Sequence, residues 1–220
     1  MDPFTSKDAT QVVETARESF SDWYAFVICG FRTGMRLGEL LALQWGDLDW
    51  QGSYMQIRRN LVRGKLTTPK NHQRRKIDMS RQLRAVLRLH LRRQRVQLFE
   101  YGLRPDWVFA TSIRTPLDES NVRRMFNKIL DKAELHRRGP HQMRHTFASL
   151  LLQAGEPITY VSKQLGHRDA SITLRVYAHW LPDSSARRGV DRLDQPESVV
   201  QPLYRAVDRA GSKLRNRQIS

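Results

Sequence analysis

Four side chains late in the sequence could act together on a phosphate: His141, Arg144, His167 and Tyr177. His141 and Arg144 are three residues apart, a spacing that puts both on one face of a helix. Arginine is a fixed cation whose fork matches phosphate oxygens. Histidine donates hydrogen bonds or shuttles protons near neutral pH. Tyrosine becomes a covalent nucleophile once its proton is removed. Together they suit attack on a phosphodiester without a metal. A zinc reading must be weighed, because His141 and His145 have the spacing of a metal-binding helix. That motif needs Glu after its first His as general base; Gln142 stands there, and no third ligand is obvious. A metallopeptidase is therefore set aside. His145 reads as a helix-surface or core-edge histidine, and neither metal nor cofactor is expected.

Short helices must carry these groups. The run 146–152 continues a helix from His141 into a core, and Gly155 is its stop. Pro157 opens a second helix with Ile158, Val161 and Leu165 at helical spacing. Gly166 ends that helix and leaves His167 at its C-terminus. Asp169 or Ser171 can cap a third helix reaching Tyr177. Two turnarounds between His141 and Tyr177 can bring the set back together.

Upstream, Asp8 or Thr10 can start a first helix, and Ser21 can cap an apolar one over 22–33 that Gly34 ends. Arg36 and Glu39 follow on one face, with Leu37, Leu40, Leu41 and Leu43 on another. Between 45 and 79 the period changes. Residues 54–62, 66–68 and 75–79 read as three strands of a small antiparallel sheet. Ser80 caps a long helix to about residue 101, apolar on one face and rich in arginine on the other. Residues 107–110 read as a strand or buried connector. Asp118 or Ser120 caps a helix over 121–134, with Arg123 and Arg124 outward. The predicted fold is mixed α+β, mainly α-helical, with a three-stranded antiparallel sheet.

The chain has 220 residues and a net charge of +16, too large an excess for solubility alone; double-stranded DNA is the leading partner. Cys29 is the only cysteine, which excludes an internal disulfide and fits a reducing cytosol, with association to the nucleoid. No apolar run is long enough to span a bilayer and no signal peptide is visible, so no membrane role is expected. Residues 1–7 read as a linker or cloning remnant, 8–182 as the working domain, and 183–220 as a tail with one weak amphipathic piece.

Thr33-Gly34-Met35-Arg36-Leu37-Gly38-Glu39-Leu40, His141-x-x-Arg144, Leu165-Gly166-His167 and Tyr177, in this order, resemble the tyrosine recombinases, also called the phage integrase family. The resemblance covers residues 21–180. It implies a tyrosine recombinase catalytic-domain fold and the breaking and rejoining of DNA through a 3′-phosphotyrosyl link, in the integration or excision of a phage or other mobile element. By that resemblance Tyr177 is the nucleophile. Arg36 and Arg144 hold the phosphate, Glu39 orients Arg36, His167 donates to the phosphate, and His141 assists proton transfer from Tyr177. Pro69-Lys70-Asn71-His72-Gln73-Arg74-Arg75 resembles the family's hairpin turn, which makes Lys70 the acid for the leaving 5′-oxygen and Arg74 and Arg75 candidate DNA contacts, with Arg123 and Arg124 as further ones. The family also implies a homotetramer on DNA, with the tail packing in cis or on a neighbouring protomer. Members carry an N-terminal helical domain ahead of this one; the expectation here is the catalytic domain alone. Two other functions share the chemistry or the charge: a type IB topoisomerase, and a non-catalytic DNA-binding regulator.

Overall fold

A computed structural model describes residues 1–69 and 74–181. Eight α-helices lie within them: α1 (Ser6–Ser19), α2 (Ser21–Thr33), α3 (Leu37–Leu41), α4 (Arg81–Phe99), α5 (Glu119–Lys132), α6 (Gln142–Gln153), α7 (Ile158–Leu165) and α8 (Ala170–Tyr177). Five short strands sit between α3 and α4: β1 (Leu48–Asp49), β2 (Tyr54–Ile57), β3 (Asn60–Val62), β4 (Lys65–Thr67) and β5 (Arg75–Asp78). The class is as the sequence predicts, mainly helical with a small antiparallel sheet.

The sheet differs in its membership. Its order is β1-β2-β5, all antiparallel, with Met55 opposite Ile77 and Ile57 opposite Arg75. Residues 60–62 and 65–67 form a separate hairpin instead of extending it. The break falls at Arg58-Arg59, where Arg59 donates to the buried Asp47 carboxylate at 2.6 Å and draws the chain off the ladder. The hairpin turns on Arg63-Gly64, both at positive φ (50° and 75°), as a two-residue turn matched to strand twist requires. β1 has only two residues, too few to show a period.

The opening residues also depart from the linker expectation. Phe4 is 2% exposed and packs edge-on against Phe31 and Phe126, and its backbone N–H donates to Thr146 Oγ1 at 2.9 Å. Thr5 then caps α1, its hydroxyl accepting from Asp8 N while the Asp8 carboxylate accepts from Thr5 N. The helix starts at Ser6, ahead of Asp8, because Thr5 is the cap and Asp8 its reciprocal partner at the third helical position.

Two apolar clusters organise the rest. The larger joins α1 and α2 to the sheet, α4 and α5 through residues such as Val12, Phe26, Ile28, Ile77, Leu83 and Phe126. The smaller is built by α6, α7 and α8 from Ala148, Leu152, Val161, Leu165 and Tyr177. Met143 on α6 belongs to the first cluster and Ala148 to the second. This helix is thus gripped on two faces, and what it carries is held firmly.

Candidate active site

The site is assembled where two chain reversals meet α6. Gly34 closes α2 and Gly166 closes α7, both in the left-handed region (φ 60° and 67°) that glycine adopts without a steric penalty. Each reversal leaves a carbonyl pointing inward. Arg144, 4% exposed, donates Nη1 to Gly34 O at 2.5 Å and Nη2 to Leu165 O at 2.8 Å. Its guanidinium therefore bridges the C-terminal, electronegative ends of two helices, which compensates the removal of the charge from water. Burial, followed by the nearby Arg36, draws its pKa down to about 9, which still leaves it a cation at neutral pH.

Arg144 Nη2 also reaches His167 Nε2 at 3.1 Å. Arginine only donates, so Nε2 is the acceptor and the ring proton sits on Nδ1, which donates to Thr173 Oγ1 at 2.8 Å. Burial and then the charges of Arg144, Arg36 and Arg75 push the His167 pKa down to about 4. The ring is neutral at rest.

Arg36 stands just ahead of α3. Its backbone N–H donates to Glu39 Oε2 at 2.9 Å and its Nη1 to Glu39 Oε1 at 3.0 Å. Glu39 is 1% exposed. Burial would raise its carboxyl pKa; the hydrogen bonds and charge of Arg75, with those of Arg36, overcome that and hold it below the usual range. The Arg36 side chain stays 24% open to solvent.

Arg75 is not placed as the sequence suggested. Expected at DNA, it instead points inward from β5 and clamps Glu39 with two hydrogen bonds, Nη1 to Oε1 at 2.8 Å and Nη2 to Oε2 at 2.6 Å. Its Nε donates to Gln164 O at 3.1 Å, and its stem lies against Gly166. One side chain, 9% exposed, thus ties the sheet, the Arg36 turn and the turn carrying His167. Nothing in its sequence neighbourhood signals this, because its carboxylate partner is 36 residues away.

Tyr177 ends α8 and is 1% exposed, in the smaller core. Its hydroxyl lies 2.7 Å from His145 Nδ1. Burial pushes the phenol pKa up to about 12, against the opposing field of Arg144. His141, at the start of α6, is exposed and packs edge-to-face on His145 with ring centroids 4.9 Å apart. Among the described residues no hydrogen bond joins His141 to Tyr177. The histidine at the phenol is His145, which the sequence reads as a helix-surface or core-edge residue. The signal was available: His145 is one helical turn beyond His141 and shares its face.

Lys70, with Asn71, His72 and Gln73, lies outside the described residues. Arg74 is exposed. Arg123 and Arg124 are exposed on α5, where Arg123 meets Glu119 at 3.5 Å and Arg124 meets Asn121. Among the described residues no three His, Cys, Asp or Glu side chains converge to hold a metal ion, and no helix is long and apolar enough to cross a membrane.

Comparison with known proteins gives concordant relatives. A tyrosine recombinase XerC-like protein of Caldanaerobacter subterraneus subsp. tengcongensis is 29% identical over 204 residues, covering 77% of this chain and 52% of that protein. An integrase of Streptomyces ambofaciens is 30% identical over 173 residues, covering 70% of this chain and 43% of that protein. The chain thus spans about half the length of the curated relatives it matches. Among solved structures, XerA recombinase superposes with a TM-score of 0.67 at 26% identity, covering 90% of this chain and 65% of that one. The Tn1549 transposon integrase in complex with circular intermediate DNA gives 0.74 at 23% identity, covering 87% and 67%, a likeness of fold. With the phage integrase family model matching residues 3–183, this chain belongs to the phage integrase family.

Proposed function

We propose that the chain is the catalytic part of a site-specific DNA recombinase of a phage or other mobile element, cleaving and rejoining DNA through a 3′-phosphotyrosyl intermediate. The observation that carries this reading is the Arg144–His167 contact at 3.1 Å beside a Tyr177 hydroxyl held at 2.7 Å by the residue next to Arg144. A phosphate ligand, a hydrogen-bonding partner and a nucleophile are fixed around one rigid helix.

In the proposed reaction a scissile phosphate settles between Arg36 and Arg144. Their guanidinium groups neutralise the non-bridging oxygens, where charge accumulates as the phosphorus becomes five-coordinate. Arg36 keeps its aim because Glu39, clamped by Arg75, cannot turn away. Displaced from Arg144 by the phosphate, His167 donates to the same oxygens once protonated or in its other tautomer. Tyr177 Oη attacks phosphorus, leaving the 3′-phosphate on the protein and a free 5′-hydroxyl. Lys70 is proposed as the acid that protonates the departing 5′-oxygen. The broken bond's energy stays in the protein–DNA link, so rejoining needs no nucleotide cofactor.

Residues from Phe4 to about 182 are proposed as the catalytic domain. Residues 183–220 are proposed as a tail that packs on a neighbouring protomer in a homotetramer. The net charge of +16 supports a duplex partner, with Arg74, Arg123 and Arg124 as backbone contacts. The Tn1549 integrase, of the same fold, is described bound to DNA. A chromosomal substrate supports a cytoplasmic location, at the nucleoid, as part of the same proposal. The test is a nicked suicide duplex carrying the element's junction sequence: a covalent protein–DNA adduct is expected with this chain, and its absence with every junction of the host element contradicts the reading.

A further inference from the structure

We propose that His145, and not His141, takes the proton of the Tyr177 phenol during attack. The inference rests on the reading of Tyr177 as nucleophile and adds the group that makes it one.

Three observations carry it. His145 Nδ1 is 2.7 Å from Tyr177 Oη, a full hydrogen-bond contact with the reacting atom. The phenol is 1% exposed, so water does not collect its proton where it lies. His145 also directly follows Arg144 on α6, a helix held on two faces by the two cores. The proton acceptor and the phosphate ligand are thus fixed to one rigid backbone.

The base must be neutral and must present a lone pair at Nδ1, with its own proton on Nε2. The phosphate-free site keeps it neutral. Burial, then the fields of His141, Arg144 and the amino terminus, lowers its pKa to about 4. The titratable and charged groups acting on this ring are His141, Arg144, Tyr177, His167 and that amino terminus. A docked phosphodiester cancels the positive field of Arg144 and Arg36, which raises the basicity of His145 at the moment it is needed.

The step balances as follows. The Tyr177 Oη–P bond forms and the P–O5′ bond breaks, while the Oη–H proton moves to His145 Nδ1 and leaves an imidazolium. The departing O5′ takes a proton from an ammonium donor, the role proposed for Lys70, or from water. Rejoining runs the same transfers backwards, and the imidazolium returns its proton to the phenol.

Single-turnover adduct formation on the suicide duplex, followed from pH 6 to pH 9, tests the inference with four variants. Loss of a positioned base costs about a hundredfold or more, so His145→Ala is expected to fall by that factor at pH 7. Its rate should then climb with pH, by up to about tenfold per unit, as hydroxide replaces the base. His145→Asn keeps a hydrogen-bond acceptor near the Nδ1 position but cannot carry a proton. It should be as slow and as pH-dependent as His145→Ala, and added imidazole should accelerate the alanine variant. His141→Ala should keep the wild-type pH profile. Wild-type rates from either His145 variant, or the pH slope appearing in His141→Ala instead, overturn the inference. If Tyr177→Phe still forms the adduct, the nucleophile assignment has failed. If Tyr177→Phe is dead while His145→Ala is fast, only the base assignment has failed. Melting temperature and DNA affinity of each variant separate slow chemistry from loss of fold.

Discussion

Arg75 closes on Glu39 with both terminal nitrogens, at 2.8 Å and 2.6 Å, and so holds from behind the carboxylate that holds Arg36. The pair is buried, with side-chain exposures of 9% and 0%. Removing one partner of such a pair leaves an uncompensated charge and costs about 3–5 kcal/mol. Arg75→Ala should cost about 3 kcal/mol, the low end, because Arg36 still neutralises Glu39. Chemical denaturation measures this. Cleavage on the suicide duplex should fall further than DNA affinity does, because Arg36 loses its aim while the exposed cations remain. A variant with full stability and reduced DNA affinity would make Arg75 a DNA contact after all.

Gly166 and Gly155 both have positive φ, 67° and 84°. A side chain in this region costs about 1–2 kcal/mol at either position. They differ in surroundings: a Cβ at Gly166 would come within 2.7 Å of Arg75 Cδ and Nε, whereas one at Gly155 meets nothing within 4 Å. Gly155→Ala should therefore lose stability and keep its cleavage rate. Gly166→Ala should lose both, because the displaced Arg75 releases Glu39 and shifts the turn bearing His167. Equal cleavage rates in the two variants would show that the Arg75 clamp does not matter to the chemistry.

How much of this was legible beforehand depended on whether the signal was local. Arg36, Arg144, His167 and Tyr177 stand out because their order and the glycines beside them survive in one dimension, and the structure places them in one cluster. For His145 the sequence shows a shared face with His141, but not the contact with Tyr177, 32 residues away, that gives the ring its meaning. Arg75 in a run of basic residues reads as a surface cation; only folding shows that Glu39 is buried beneath it. Leu48–Asp49 is too short for a periodicity, and Phe4 is one aromatic ahead of a helix capped by Thr5, with no periodic neighbour to mark it as core.

Stability should fall as the solution is acidified from near neutrality. His145 and His167 have pKa values lowered to about 4, by burial first and then by the neighbouring rings and arginines. Their unfolded values are about 6.5. Above that value both states are neutral and the histidines leave stability unchanged. Below it the unfolded chain binds protons that the folded site refuses, so stability is lost between about pH 6.5 and pH 4. Glu39, also depressed, adds to the loss at lower pH. Melting temperature against pH measures the trend. Replacing His145 and His167 together by Gln should flatten it between about pH 6.5 and pH 4; an unchanged slope would contradict the assignment to these rings.

Lys70 is tested by its leaving group. The 5′-alkoxide is strongly basic and needs a proton to depart, whereas a 5′-thiolate leaves without one. Lys70→Ala should cleave ordinary DNA slowly and a 5′-bridging phosphorothiolate at close to the wild-type rate. Arg144→Ala should be slow on both. If the two variants respond alike, Lys70 contacts phosphate only, and Lys65 is the next candidate for the acid.

The nucleophile is the centre of the account, and one substitution reaches it directly. Tyr160, the nearest alternative, donates its hydroxyl to Asp78 at 2.9 Å and has its pKa pushed up to about 12 by burial and that bond. Tyr177→Phe removes one oxygen from a packed core and leaves Arg36, Arg144 and the basic surface in place. Incubated with the nicked suicide duplex and resolved by denaturing electrophoresis, Tyr177→Phe should bind DNA as tightly as the unaltered chain and form no covalent adduct. An adduct that persists in Tyr177→Phe and disappears in Tyr160→Phe would contradict the account.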